Sequence, residues 1–341
     1  MKKTNLSALL LAALLLIQLL CAPVSAVTAE PAADAQADAQ TASDNSAGDA
    51  AAEADSVPED QLLSSREQFS VAAKAALLID LNTNRVVYEQ DADERVYPAS
   101  LTKIMTCLIA LENGNLSDVV TVSESALADL DEDSSVAGLV VGEQMTLENL
   151  LYCMMVVSGN DACNVIAEHV AGSVTDFVRM MNQRAYELGC TNTHFNNPHG
   201  LHDESHYTTA RDLAIITQAA LKSENFRQIV DTYEYKLPDD NMRQNIPKLK
   251  TTNMLIYQSM SNSLYYPRAH GIKTGYTSQA GRCVISEATG DGLDLLGIVC
   301  GAATTVLDSG DLLMENFTEC ARLFDYGFDN YSYLTLMSPL Y

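Results

Sequence analysis

The chain has 341 residues, with 45 acidic and 20 basic side chains and a formal net charge of −25. This balance argues against nucleic-acid binding, because phosphates require clustered lysines and arginines, and it disfavours docking on anionic membranes. The length fits one large domain, with or without a subdomain, that can bury a packed core.

The first 26 residues resemble a secretory signal rather than part of a fold. Lys2 and Lys3 precede the apolar run 6–21, and the small residues of Val24-Ser25-Ala26 precede the expected cleavage point. The apolar run is short for a membrane span. We therefore predict export and cleavage after Ala26. An uncleaved anchor is the alternative, and a lipoprotein site at Cys21 is weaker because Leu20 is bulky.

Residues 27–62 form a predicted linker. The segment is rich in alanine, lacks aromatic residues and carries no lysine or arginine. It cannot bury enough apolar surface to offset the entropy lost on ordering, so we expect it to be disordered. Its acids up to residue 60 are Glu30, Asp34, Asp38, Asp44, Asp49, Glu53, Asp55, Glu59 and Asp60. Removing Lys2 and Lys3 changes the formal net charge from −25 to −27, and removing the nine acids as well leaves −18 on the remaining domain.

The domain, predicted over 63–330, begins with strands and continues with helices. We predict strands at 75–81 and 85–89 joined by a turn. Ser100 should open a long helix that ends at Asn113-Gly114. Further helices are predicted at 147–157, 162–170, 174–188 and 209–221.

Strands return near the end of the chain, at 271–276, 281–288 and 293–301, followed by a closing helix at 312–326. Strands at both ends of the domain enclose a helical middle. We therefore predict an α/β (α+β) fold in which both ends build one antiparallel sheet, with helices on its faces and a helical subdomain inserted between them.

Seven cysteines follow Cys21, so at least one must be free, and no Cys-x-x-Cys pair is present. Most lie within apolar runs, and we interpret them as small buried apolar residues rather than zinc ligands or a redox pair.

Three short motifs carry the candidate chemistry. In Ser100-Leu-Thr-Lys103, the serine and lysine are one helical turn apart and share a face. A serine hydroxyl becomes nucleophilic when a neighbour takes its proton, and Lys103 can do so if burial and a second cation, such as Lys273, lower its pKa. A helix N-cap with a surface lysine is the alternative.

The second motif, Ser158-Gly-Asn160, interrupts a strong helix and would place a hydroxyl and an amide at a fixed point. Ser158 could relay a proton, and Asn160 could hold Lys103 and the substrate amide. The third, Lys273-Thr274-Gly275, ends a strand whose lysine and hydroxyl suit a substrate carboxylate. Gly275 leaves room for a peptide to add to the strand edge, and the N–H groups of Ser100 and Tyr276 could form an oxyanion hole. The alternative for the second motif is an ordinary turn between helices. The alternative for the third is an edge lysine that prevents aggregation.

With these residues in view, the chain resembles the low-molecular-weight penicillin-binding proteins, and more closely the serine D-alanyl-D-alanine carboxypeptidases of peptidase family S11. The resemblance extends over about residues 65–330. It includes 97–106 around the nucleophile, 197–201 and 208–214 in the middle, and 270–277 with Ala280-Gly281.

The resemblance implies a β-lactamase/transpeptidase-like fold, with Ser100 acylated, Lys103 as its base and Ser158 as a further catalytic residue. It implies that Asn160, Lys273, Thr274, Gly275 and Tyr276 bind substrate. The implied reaction removes the terminal D-alanine of peptidoglycan stem peptides outside the cytoplasm, without metal or cofactor and with β-lactams as covalent inhibitors.

Two departures from the family pattern are present. Many members carry a β-rich second domain and a C-terminal amphipathic membrane helix. Because 66 residues follow Gly275 (341 − 275), we expect neither, with 331–341 as a tail. The apolar face of the closing helix, formed by Leu312, Leu313, Phe317, Leu323 and Phe324, is predicted to pack on the core. Its polar face, with Asp311, Glu315, Glu319 and Asp325, has the wrong sign for anionic lipid. Tyr276 stands where some relatives have histidine.

Three other functions remain open at this stage. A class A β-lactamase shares the first and third motifs, but here residue 159 is glycine and no Glu-x-x-Leu-Asn segment lies between Asn160 and Lys273. A D,D-transpeptidase would use the same acyl-enzyme, and a non-enzymatic sensor would use the same fold. A metal site at His194, His199, His202 and His206 with Asp203 and Glu204 is a weaker candidate.

Overall fold

The computed structural model describes residues 69–128, 130, 134–259, 261–307 and 312–333. The predicted signal, the linker and most of the tail lie outside these ranges, as does the predicted start of the domain at residue 63.

One five-stranded antiparallel sheet organises the described chain. Its strand order is β2-β1-β9-β8-β7, so both ends of the domain meet in the middle of one sheet, as predicted. The strands are β1 (Ala75–Asp80), β2 (Arg85–Gln90), β7 (Ala269–Thr277), β8 (Gly281–Gly290) and β9 (Leu293–Ala302). In β1 Ala75 pairs with Cys300 and Asp80 with Leu295, and every residue of the strand is buried because both faces of the sheet are covered.

Helices occupy the middle of the chain; four of the five long ones lie within a residue or two of the predicted ends, and the first begins at Lys103, three residues after the predicted Ser100. They are α1 (Lys103–Asn113), α2 (Glu124–Ala128), α3 (Leu147–Val156), α4 (Asn160–Ala171), α5 (Val174–Glu187), α6 (Ala210–Ala220) and α7 (Glu224–Val230). Thr146, Ser173 and Thr209 cap α3, α5 and α6 with side-chain oxygens that accept a backbone N–H, which fixes where these helices begin. The short α2 and α7 have no counterpart in the sequence prediction.

Three two-stranded ribbons were also not predicted. They pair β3 (Val119–Thr121) with β4 (Gln144–Thr146), β5 (Glu234–Tyr235) with β6 (Leu249–Lys250), and β10 (Thr304–Val306) with β11 (Leu312–Met314). Strands of two or three residues contain too few positions for an alternating pattern to be recognised.

The closing helix, α8 (Glu315–Asn330), starts three residues later than predicted. Leu312 and Leu313 belong to β11, where they pair with β10, so placing them on the apolar face of the helix was wrong. Phe317, Leu323 and Phe324 do pack against one face of the sheet, in a cluster that includes Leu78 and Val299. Glu319 is also buried there, bonded to Arg322 and to the Ala72 N–H, and is not part of an exposed acidic face.

The other face of the sheet packs against the helical region in a larger apolar cluster, in which α1 is buried from Lys103 to Ala110. The seven described cysteines are buried, as predicted, and all seven are free: Cys107, Cys153, Cys163, Cys190, Cys283, Cys300 and Cys320. Within the described ranges, none of the helices combines the length and the apolar character that crossing a membrane requires.

Candidate active site

Ser100 lies in a tight 3₁₀ turn, Ala99–Thr102, and not in the α-helix predicted for it. Ala99 has a φ of +47°, and the Leu101 N–H donates to Pro98 O at 3.1 Å, so the chain turns sharply before α1 begins at Lys103. The turn holds Ser100 half-buried at the edge of a cleft.

Lys103 is fully buried, which excludes the surface lysine of the alternative interpretation. Its Nζ donates to Ser100 Oγ at 2.8 Å, to Asn160 Oδ1 at 2.7 Å and to the His199 carbonyl at 2.8 Å. Burial lowers the pKa of Lys103 to about 8, so about a tenth of the amine is neutral at pH 7. A neutral Lys103 amine is placed to accept the Ser100 proton.

The second motif lies where the α3–α4 helical segment breaks. Ser158 adopts the left-handed conformation, with φ of +63°, between the end of α3 and the start of α4 at Asn160. This conformation, which a non-glycine residue rarely adopts, directs the chain so that both Ser158 and Asn160 line the cleft. The predicted break is therefore present, and it joins the second motif to the first through Asn160 and Lys103.

The third motif lies on the edge strand β7. Lys273 is almost fully buried, unlike an edge lysine that discourages aggregation, and its Nζ donates to Ser158 Oγ at 3.1 Å and to Thr274 O at 3.0 Å. Thr274 Oγ1 lies 2.6 Å from Thr252 Oγ1, and both threonines line the cleft.

The two lysines are coupled, although not in the direction expected from the sequence. Burial, and then the nearby Lys103, lower the pKa of Lys273 well below its ordinary value. The lowered pKa of Lys103 comes from burial, and Lys273 is not among its causes. Two buried amines beside one another favour a neutral form of at least one of them.

Gly275 brings β7 against the nucleophile turn. A Cβ at this position would lie 3.0 Å from Pro98 O and 3.1 Å from Ser100 N, so a side chain would force the strand and the turn apart. Because of this close approach, Gly275 lies beside the Ser100 amide, and Tyr276 follows directly on β7. Amides in such a position suit an oxyanion.

A buried histidine, not identified from the sequence as part of the site, supports the turn. His206 Nδ1 accepts the Asn196 N–H at 3.1 Å, which leaves its Nε2 to donate to Thr102 Oγ1 at 2.8 Å. Thr102 Oγ1 in turn donates to Ala99 O at 2.8 Å, within the nucleophile turn. Burial lowers the pKa of His206 to about 4, so the ring stays neutral and keeps this tautomer near pH 7.

A loop before β4 covers the second motif. Asp161 accepts the N–H groups of Ala137 and Leu139 at 2.9 and 3.0 Å, and the Asn160 N–H donates to Ser135 O at 2.8 Å. These bonds hold Ser135 at the cleft wall.

The cleft has a volume of about 490 Å³. Its described lining comprises Ser100, Ser134, Ser135, Ser158, Asn160, His199, Gly200, Leu201, Thr252, Thr274, Gly275, Tyr276, Thr277, Arg282, Met314, Asn316 and Phe317. All three motifs therefore converge on one cleft at the edge of the sheet. Thr252, His199 and Arg282 were not identified as site residues from the sequence, although His199 lies in the 197–201 segment singled out there.

The histidines considered as metal ligands do not converge. His206 bonds to Thr102 and Asn196, His199 Nδ1 accepts the Leu201 N–H, and His194 Nδ1 contacts Ser205 O at 2.7 Å. Among the residues that the structure describes, no three His, Cys, Asp or Glu side chains are grouped so that they could hold a metal ion.

Comparison with known families matches residues 62–304 to the model described as D-alanyl-D-alanine carboxypeptidase. The chain belongs to this family. The D-alanyl-D-alanine carboxypeptidase DacF of Bacillus subtilis is 37% identical over 79% of this chain. The chain spans 64% of the length of DacF and 63% of that of the Haemophilus influenzae relative DacA.

Solved structures support the same family fold. The Streptomyces K15 DD-transpeptidase superposes with a TM-score of 0.67 at 30% identity, covering 76% of this chain and 98% of that one. Penicillin binding protein 5 of Haemophilus influenzae gives a TM-score of 0.65 at 32% identity, covering 76% and 72%. The antiparallel sheet flanked by helices is thus the DD-peptidase fold, as the sequence predicted.

Proposed function

We propose that this protein is a serine D-alanyl-D-alanine carboxypeptidase that removes the terminal D-alanine of peptidoglycan stem peptides through a Ser100 acyl-enzyme. The observation that carries the proposal is the continuous bonding from Ser100 Oγ to Lys103 Nζ to Asn160, beside Lys273 and Ser158, at the floor of one cleft. The family name and the relatives' names support the same reaction.

Acylation begins with a neutral Lys103. Its amine takes the Ser100 proton as Oγ attacks the carbonyl carbon between the two D-alanines. The developing oxyanion is held by the backbone N–H groups of Ser100 and Tyr276, beside the close approach at Gly275. The proton then passes from Lys103 through Ser158 to the leaving nitrogen, and D-alanine departs.

Deacylation repeats these steps with water. Water enters after D-alanine has left, Lys103 accepts one of its protons, and the water oxygen bonds to the acyl carbon. The Ser100–acyl bond then breaks, and Lys103 returns the proton to Ser100 Oγ. Asn160 positions both Lys103 and the substrate amide, and Lys273, Thr274 and Gly275 form the wall along which the peptide lies as an added strand. The steps use only side chains and backbone of this chain, and β-lactams are expected to acylate the same Ser100.

D,D-transpeptidation is the second candidate, and one observation favours it. The Streptomyces neighbour, of which 98% is covered, is a DD-transpeptidase. The same acyl-enzyme would be resolved by an amine instead of water. Release of D-alanine without an acceptor separates hydrolysis from an obligate transfer.

We also propose that the protein acts outside the cytoplasm. The sequence of residues 1–26 supports export by a cleaved signal, followed by an acidic linker over 27–62 and the catalytic domain over 63–330. Mass spectrometry of the N-terminus of the exported protein tests the cleavage site.

The first experiment measures D-alanine release from diacetyl-Lys-D-Ala-D-Ala by the wild type and by Ser100→Ala. Release by the wild type and none by the variant supports both the reaction and its nucleophile. A folded wild type that releases no D-alanine, and that forms a new amide only when an amine acceptor is added, would favour transpeptidation instead.

A further inference from the structure

Arg282 gives the cleft a positive side chain away from the three motifs. Among the described residues that line the cleft, it is the one arginine, and lysine is absent. It starts β8 opposite Tyr276 on β7, so the two side chains lie on the same face of the sheet, and Thr274, two residues before Tyr276, shares that face.

Arg282 is held in place without a carboxylate partner. Its guanidinium carbon lies 4.4 Å from the centre of the Tyr276 ring, and its Nε donates to Thr304 Oγ1 at 2.9 Å. Within the described ranges its two terminal nitrogens have no hydrogen bond or ion pair, whereas seven other arginines pair with carboxylates. In a chain with a large surplus of acids, a fixed arginine whose two terminal nitrogens have no partner points to an anion from outside.

The other basic groups near the cleft are not available for an exposed anion. Lys103 and Lys273 are buried, and their Nζ atoms are already bonded to protein oxygens. His199 lines the cleft, but burial lowers its pKa to about 3, so its ring is neutral near pH 7.

We propose that Arg282 binds the free α-carboxylate at the C-terminus of the peptide substrate. The two terminal NH2 groups of the planar guanidinium form one free edge that matches a carboxylate in two parallel hydrogen bonds, while the Tyr276 ring and the Thr304 hydroxyl hold the side chain in place. The role expected for Lys273, contact with this carboxylate, passes to Arg282, and Lys273 acts on Ser158 instead. This inference rests on the proposed function, since it names the end group that makes the enzyme a carboxypeptidase rather than an endopeptidase.

The test compares two peptides that differ only in this anion: diacetyl-Lys-D-Ala-D-Ala and its C-terminal carboxamide. Binding is measured by NMR titration to the Ser100→Ala protein, with Arg282 kept or changed to glutamine, so turnover is not needed. The Arg282→Gln change should weaken binding of the peptide acid about 10- to 100-fold, because hydrogen bonds between charged groups usually contribute this much to affinity. Binding of the amide should not weaken.

Two further variants isolate the cause. Arg282→Lys keeps the charge but loses the planar fork, and it should lose less affinity for the acid than Arg282→Gln. Arg95→Gln is the matched control, because Arg95 lies 4.0 Å over the Tyr207 ring and does not line the cleft. It should bind both peptides like the parent protein. Circular dichroism and melting temperature check that each variant is folded.

Equal weakening for acid and amide would overturn the proposal in favour of a structural role, and unchanged binding of the acid would overturn it outright. The proposed function fails separately, if protein with Ser100 intact releases no D-alanine. In Ser100-intact protein, Arg282→Gln should mainly raise KM for the acid, whereas damage to the catalytic groups would lower kcat.

Discussion

Lys103 experiences two opposing influences. Burial lowers its pKa to about 8, whereas three oxygen acceptors around Nζ favour the charged ammonium. Because the neutral amine is the form that can accept the Ser100 proton, the acylation rate should follow the neutral fraction. We expect kcat/KM for D-alanine release to rise from about pH 6 to about pH 9 with a midpoint near the Lys103 pKa of about 8. A flat profile across this range would contradict Lys103 as the base.

The Lys103→Arg variant is the control for this profile. A guanidinium stays protonated throughout, so kcat/KM should fall by about 10²- to 10⁴-fold and lose its rise with pH. A residual rate that still rises near pH 8 would assign the titration to another group.

At the scale of loops and turns, Gly200 and Gly172 form a matched pair. Both have φ near +90°, at +92° and +81°, where alanine is strained. A Cβ on Gly200 would lie 1.8 Å from Ala99 O, within the nucleophile turn, whereas one on Gly172 would meet nothing within 4 Å. Gly200→Ala should therefore displace Ser100 and reduce acylation by a fluorescent penicillin. Gly172→Ala should cost only about 1–2 kcal/mol of stability and leave labelling unchanged.

The pairing of β8 with β9 brings carboxyl groups together. Burial, and then Glu287, raise the pKa of Asp294 to about 7 from 3.8, against the attraction of Arg227, which bonds to both Glu287 oxygens. The folded state therefore holds a proton that the unfolded state releases near pH 4, so this group makes stability fall as pH rises from about 4 to about 7. Urea unfolding of Asp294→Asn at about pH 4.5 and about pH 7.5 should lack this decrease. The control Asp291→Asn, whose side chain is exposed, should keep it. A decrease of the same size in both variants would contradict Asp294 as its source.

Motif spacing and apolar periodicity identified the long helices, the sheet strands and the three motifs from the sequence, because these signals are local. The contacts that complete the site are not. The His199 carbonyl meets Lys103 from a distant segment, and Arg282 faces the cleft only because the β7–β8 register places it opposite Tyr276. The tight turn at Ser100 depends on the positive φ of Ala99, and an alanine in the sequence gives no sign of a positive φ.

For the molecule as a whole, α8 is the layer that closes one face of the sheet. Phe324 is fully buried and fills the space that Gly297 leaves on β9, where a Cβ would lie 2.9 Å from the Phe324 ring. Phe324→Ala should lower the free energy of unfolding by about 3–5 kcal/mol, measured by urea denaturation. Tyr186→Ala, at a side chain 77% exposed, should change it by no more than about 0.5 kcal/mol. If Phe324→Ala lowered the free energy of unfolding by no more than Tyr186→Ala, α8 would contribute little to the core.

The position of β1 beside the central strand β9 also determines the order in which the described domain can be assembled. β1 lies near the start of the described residues and β9 near their end, so the two strands can pair only after the more than 200 residues between them have been synthesised. Ser100 is made early, but the strand that carries Lys273 arrives late. A growing chain therefore contains Ser100 and Lys103 without the strand that carries the third motif. The cleft should therefore be completed in a single late event, when the strand that carries Lys273 joins the sheet.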